Sequence, residues 1–148
     1  MREILFKGKR VDNGEWVEGS CVVTEKEAYI VFGVETMPID SECCDLYATE
    51  WYQVNPETVC QFIGLTDKNG VKIFEGDIVS TDIERPYLIV EFRDGCFMFN
   101  CNDGGEDYYD IMLPILDEPQ TQYKYGEVIG NIFDNSELME GGGSDEID

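Results

Sequence analysis

Histidine is absent from all 148 residues, and lysine and arginine together number only 10. The first absence removes the commonest general base, and with it the Ser/His and Cys/His nucleophile pairs. The second sets 10 cations against 32 Asp and Glu, a formal net charge of -22. Such a surface repels the phosphate backbone, because nucleic-acid binding needs Lys and Arg to displace counterions. Anionic membranes are disfavoured for the same reason. No apolar run approaches the roughly 20 residues that span a bilayer. The opening Met1-Arg2-Glu3-Ile4-Leu5-Phe6-Lys7-Gly8 is broken by charge and glycine, so no signal peptide is expected. A cytoplasmic protein is expected, its six cysteines (Cys21, Cys43, Cys44, Cys60, Cys96 and Cys101) reduced. Cys-x-x-Cys is missing too, and without histidine no mixed zinc site can form. Cys43-Cys44 and the Cys96/Cys101 pair can supply thiolates, but buried or edge-strand cysteines acting as small apolar residues are the simpler reading. Neither a P-loop nor a dinucleotide-binding glycine pattern occurs. Phe62-Ile63-Gly64-Leu65 and Gly104-Gly105 lack the lysine and helix onset that cradle phosphate. No cofactor is expected, and the residues assemble no catalytic set.

What is present is enough apolar material to fold. Hydrophobic residues make up 43% and aromatic residues 12% of the chain, which argues against wholesale disorder despite the charge. The strongest pattern is internal. Phe6-Lys7-Gly8 corresponds to Phe62-Ile63-Gly64, and Asn13-Gly14 to Asn69-Gly70 at the same offset. One residue later in register, Glu18-Gly19-Ser20-Cys21-Val22 corresponds to Glu75-Gly76-Asp77-Ile78-Val79. Tyr29-Ile30-Val31-Phe32 then resembles Tyr87-Leu88-Ile89-Val90. A recurrence of this order in a short chain reads as duplication.

Each unit reads as β. Asn-Gly accommodates the positive φ that tight hairpin turns require, so Asn13, Gly14, Asn69 and Gly70 are assigned to turns. Glu15-Trp16-Val17-Glu18 alternates polar and apolar residues, as a half-buried strand does. Tyr87 to Phe92 and Cys96 to Cys101 are strands joined by the turn Arg93-Asp94-Gly95. Short strands at close intervals predict two small SH3-like barrel units related by duplication, residues 1–61 and 62–139. Residues 140–148 are expected to be a flexible acidic tail. One or two short helical segments are expected. One lies between Pro38 and Trp51, with Ser41 as its N-cap, and another near Asn135-Ser136-Glu137-Leu138-Met139. Asn55-Pro56-Glu57-Thr58 reads as a turn.

Asp67-Lys68-Asn69-Gly70 begins like a calcium loop but has Val71 where a third oxygen ligand is needed. Glu75 and Asp77 share a strand face and can in principle hold a cation. The simpler reading is structural: Gly76 supplies unusual torsions, and Asp77 bonds nearby amides. The candidate interaction surface is aromatic: Trp51 with Tyr52, Tyr108 with Tyr109, and Tyr123 with Tyr125. Neighbours in a strand point to opposite faces, so each adjacent pair is expected to send one ring inward and one outward.

Several of these residues together carry a family resemblance. Phe62-Ile63-Gly64-Leu65-Thr66-Asp67-Lys68-Asn69-Gly70 leads into Glu75-Gly76-Asp77-Ile78-Val79. Near the end stands Val128-Ile129-Gly130-Asn131-Ile132-Phe133, then Asn135, Glu137 and Leu138. With the opening Arg2-Glu3-Ile4-Leu5-Phe6, the ordered set resembles the YopX family, over roughly residues 1 to 139; residues 36–51 match nothing in it. The resemblance implies a phage- or prophage-encoded protein and supplies no catalytic residues. The reading that follows is a cytoplasmic, non-enzymatic binding or assembly module. Its partner is itself, as a homo-oligomer, or another host or phage protein, with no direct nucleic acid and no membrane. The alternative is an acidic inhibitor that mimics nucleic acid and occupies a basic host protein.

Overall fold

The structure, a computed structural model, describes residues 2–81, 87–103, 106–111, 122 and 126–138. It is mainly β, with two antiparallel sheets. The chain divides into two units between Gln61 and Phe62.

In the first unit, β1 (Phe6–Lys9), β2 (Trp16–Val23), β3 (Ala28–Pro38) and β4 (Cys44–Val54) form an antiparallel meander. A single 3-10 turn, Pro56–Thr58, then leads into β5 (Cys60–Thr66), whose first residues pair with β1, giving the order β4-β3-β2-β1-β5. Alternation sorts the faces. Ala28, Ile30 and Val54 are buried together, with Phe6, Val17, Cys21 and Val59 packed around them. The opposite face carries Trp16 opposite Lys9, and Glu18 opposite Lys7. The Lys7 ammonium stands 4.6 Å from the Trp16 ring centroid. The 3-10 turn is capped by Asn55, and the buried Thr58 hydroxyl accepts from Lys9 N at 2.9 Å, fastening the turn to β1.

In the second unit the remainder of β5 pairs with β6 (Lys72–Phe74). Then β7 (Asp77–Thr81), β8 (Leu88–Arg93), β9 (Cys96–Asp103), β10 (Glu106–Ile111) and β11 (Gly126–Asn131) form a five-stranded sheet in the order β10-β9-β8-β7-β11. Its core is Ile73, Val79, Val90 and Phe99, flanked by Ile63, Leu65, Leu88 and Val128.

Three expectations need correction or refinement. First, the sheets are open where small barrels were expected. Barrel closure requires the terminal strands to bond to each other, and among the described residues no ladder joins the terminal strands of either sheet. One isolated bridge, Arg10 to Val54, ties the ends of β1 and β4. Bonds from Val11 N to Gln53 O (3.0 Å) and from Asn55 N to Lys9 O (2.8 Å) flank it. Second, Pro38 to Trp51 is not helical. Instead β3 runs to Pro38 and β4 starts at Cys44. Ser41 lies in the hairpin turn, where Asp40 Oδ1 accepts from Glu42 N at 2.8 Å and Cys43 O from Ile39 N at 2.9 Å. Pairing with β3 along ten positions outweighs the local helical preference of Leu46 and Ala48. Third, the turn at 55–58 is a 3-10 helix. A helical turn does form at residues 136–138.

The recurring motifs occupy comparable places. Asn13-Gly14 joins β1 to β2, and Asn69-Gly70 joins β5 to β6; the glycines have φ of +76° and +84°. Asn13 Oδ1 accepts from Glu15 N, and Asp67 Oδ1 from Asn69 N. The units differ at the next motif. Strand β2 passes unbroken through Glu18-Gly19, whereas Gly76, at φ +84°, separates β6 from β7.

Candidate interaction surface

The motif residues of the second unit build its scaffold. Asp67 is 1% exposed. Its Oδ1 accepts from Asn69 N (2.8 Å) and Val71 N (2.9 Å), and its Oδ2 from Val128 N at 2.8 Å. One carboxylate thereby closes the β5–β6 turn and fixes the start of β11. Burial on its own would push the Asp67 carboxyl up. The N–H donors of Val128, Val71 and Asn69, aided by the Lys68 charge, outweigh it and hold the group below the ordinary carboxylate value. Asp77, 2% exposed, accepts from Phe74 N at 2.8 Å and bridges the break at Gly76. Gly76 itself donates to Val90 O and accepts from Ile132 N. At the end of β11 the Asn131 side chain accepts from Phe133 N and Asp134 N, both at 2.9 Å. Asn135 Oδ1 accepts from Asn131 N and lies so close over Gly130 that a Cβ there would collide with it. These carboxylates and amides are spent on backbone N–H groups. Asp67 is thus an anchor that reading the stretch as a simple turn missed.

The other kind of surface lies in the first unit, on β3 and β4. Trp51 is 50% exposed and meets the Tyr29 ring edge-on at 5.4 Å. Tyr52 is 36% exposed and meets Phe32 at 5.5 Å, with the Arg10 guanidinium 3.7 Å over its ring. The two rings point to opposite faces, Tyr52 to the face of its partner Ile30 and Trp51 to the other, and both keep a large exposed area. Paired irregularities around Gly33 mark where the hairpin leaves the core. Beyond them Val34, Met37, Ile39, Leu46 (69%) and Tyr47 are all exposed. The Tyr29 hydroxyl donates to Glu27, and this bond, with burial and the Glu27 charge, raises the phenol above its usual value.

Charge sharpens the picture. Residues 28–54 hold five carboxylates (Glu35, Asp40, Glu42, Asp45 and Glu50) and no Lys or Arg. The strand order places β4 at an edge, and among the described residues no strand pairs with the outer side of Cys44 to Tyr52. Sequence reading singled out Trp51 and Tyr52 and missed Phe32, Val34, Leu46 and Tyr47. The available signal was the gap without cations between Lys26 and Lys68.

The remaining candidates are not gathered here. Tyr108 and Tyr109 fall in β10, opposite Cys101 and Asn100. Tyr123, Tyr125 and the acidic tail lie outside the described residues. Cys43 and Cys44 are exposed beside the hairpin turn, Cys60 is buried, and Cys21 and Cys96 are half-buried. Among the described residues no three Cys, Asp or Glu side chains are grouped to hold a metal ion. No helix among them is long and apolar enough to cross a membrane.

Comparison with known proteins agrees with the architecture. Residues 6–140 match the family model described as YopX protein. The crystal structure of protein EF1440 from Enterococcus faecalis is similar in fold, with a TM-score of 0.56 at 20% identity, over 94% of this chain and 99% of that one. No curated protein matches the sequence.

Proposed function

The chain belongs to the YopX protein family, and on that premise we propose that it is a phage- or prophage-encoded, cytoplasmic binding or assembly module without enzymatic activity. The observation that carries this reading is the β3–β4 hairpin. It holds Phe32, Val34, Leu46, Tyr47, Trp51 and Tyr52 in solvent. Aromatic residues are the usual anchors of protein contacts, and a run of exposed apolar side chains on one element marks an interaction surface. The conspicuous buried carboxylates, Asp67 and Asp77, are occupied by backbone amides.

The two units are read as products of a duplication of one small barrel-like ancestor. Support comes from the matching Asn-Gly turns and from the Arg10 to Val54 bridge, which curls the first meander towards closure. The boundary is placed between Gln61 and Phe62.

A second reading is an acidic mimic of nucleic acid that occupies a basic host protein. It is favoured by the net charge of -22 and the unbroken acidity of residues 28–54. A mimic binds through carboxylates, so its complex survives loss of the rings and weakens with salt.

Fluorescence-detected sedimentation of the labelled protein, purified and in host cytosol, tests the module reading. The expected result is a species heavier than the monomer in at least one condition, returned to monomer by the Phe32→Ser/Trp51→Ser variant. Monomer in both conditions, or a complex indifferent to the variant, overturns it.

A further inference from the structure

We infer that the outer edge of β4 is a docking strand for an extended segment of another protein in which Lys or Arg alternates with apolar residues. This rests on the reading of the hairpin as a contact surface and names its occupant. Three observations carry it.

The first is backbone chemistry. Strand β4 spans Cys44–Val54 and stands last in the sheet, and among the described residues its outer side is paired only at its end, through Gln53 and Val54. An unpaired edge offers alternating N–H and C=O groups to an added strand. Natural edges are commonly blocked by Lys or Pro, and from Cys44 to Tyr52 β4 contains neither.

The second is side-chain chemistry. An added strand lies about 5 Å from β4, so its side chains fall beside those of β4 on both faces. Leu46, Tyr47 and Trp51 offer apolar contact area. Asp45 and Glu50 on β4, with Glu35 across the hairpin, offer acceptors. Glu35 is already engaged by the Tyr47 hydroxyl at 3.2 Å, a bond that leaves the carboxylate charge in place for a cation.

The third is the sign of the charge. The hairpin carries five carboxylates and no cation, on a chain of net charge -22. A second copy brings the same charges to the contact, whereas a basic strand neutralises them. Electrostatic matching of this kind selects the partner and speeds its encounter. Nucleic acid and anionic lipid are disfavoured by the same argument.

The test uses the intact chain and three synthetic nine-residue peptides: alternating Lys and Val, alternating Glu and Val, and the Lys/Val composition with prolines at alternate positions. Binding is read by intrinsic tryptophan fluorescence, repeated in Trp16→Phe to isolate Trp51, and by amide hydrogen exchange across residues 44–52. The expected result is that the Lys/Val peptide alone binds and slows exchange in 44–52. Its affinity falls about tenfold or more between about 50 mM and 300 mM salt, and about tenfold in Asp45→Asn/Glu50→Gln, a variant that leaves the rings in place. Equal binding by the proline peptide overturns strand addition, and equal binding by the Glu peptide overturns the basic partner. No binding by any peptide overturns the inference as a whole. If the protein nonetheless self-associates through the hairpin and Phe32→Ser/Trp51→Ser abolishes that association, the module reading survives while the basic strand does not.

Discussion

The Asp67 carboxylate accepts a hydrogen bond from Val128 N at 2.8 Å, across 61 residues of chain. Both residues belong to the motif set that marks the family, one in the Asp-Lys-Asn-Gly turn and the other at the start of Val-Ile-Gly-Asn. The bond joins the two motifs in space: a side chain of the first satisfies a backbone N–H of the second.

Replacing Asp67 with Asn is expected to cost about 2–3 kcal/mol at neutral pH, because a buried charged acceptor shared by three N–H groups becomes a neutral one. The pH dependence has a definite sign. The folded Asp67 carboxyl lies below its ordinary value. Its contribution is therefore fully present above the unfolded value, near 3.9, and is lost as pH falls through the folded value. Urea unfolding at about pH 7 and pH 3.5 checks this. The parent should lose more stability on acidification than Asp67→Asn, so the gap between the two should narrow at the lower pH. Parallel losses would contradict the assignment.

The glycines separate two physical causes. A Cβ at Gly14 or Gly70 meets nothing within 4 Å, but both residues have positive φ. Alanine there should cost about 1 kcal/mol through backbone strain alone. At Gly130 the Asn135 side chain fills the space of a Cβ, so Gly130→Ala must displace the bonds from Asn135 to Asn131. Denaturation midpoints should rank Gly130→Ala below Gly70→Ala. The double variant Gly130→Ala/Asn135→Ala should lose less than the two single losses added, since the collision goes with the side chain.

Much of this architecture was legible in the sequence, for identifiable reasons. The Asn-Gly turns, the alternation at Glu15-Trp16-Val17-Glu18 and the turn Arg93-Asp94-Gly95 are local signals, and β2, β8 and β9 follow from them. The hairpin beyond Gly33 was not legible. Leu46-Tyr47-Ala48 fits a helical turn as well as a strand, and only pairing with Val34 to Thr36 decides. Openness of the sheets was equally hidden, because closure depends on contacts between strands distant in sequence. Of the candidate surface, Trp51 and Tyr52 were visible as aromatic neighbours. Their exposure was not, since it is set by what the rest of the fold packs over each face and not by the pair itself. Asp67 hid among 32 acidic residues; nothing local distinguishes an anchor from a solvated carboxylate.

The charge balance makes a negative prediction. With 10 cations against 32 carboxylates, the protein should not shift duplex DNA at physiological salt. A gel shift at low micromolar protein checks it, and a shift abolished by added salt would contradict the electrostatic argument.

The hairpin, and not the rest of the first unit, is proposed to meet the partner. A photo-cross-linking phenylalanine analogue placed at Trp51, compared with the same group at exposed Glu57, tests it most directly in cells that make the protein. Discrete adducts are expected from position 51, to another protein or to a second copy, and none above background from position 57. Equal adduct patterns at the two positions, or none at 51, would contradict it.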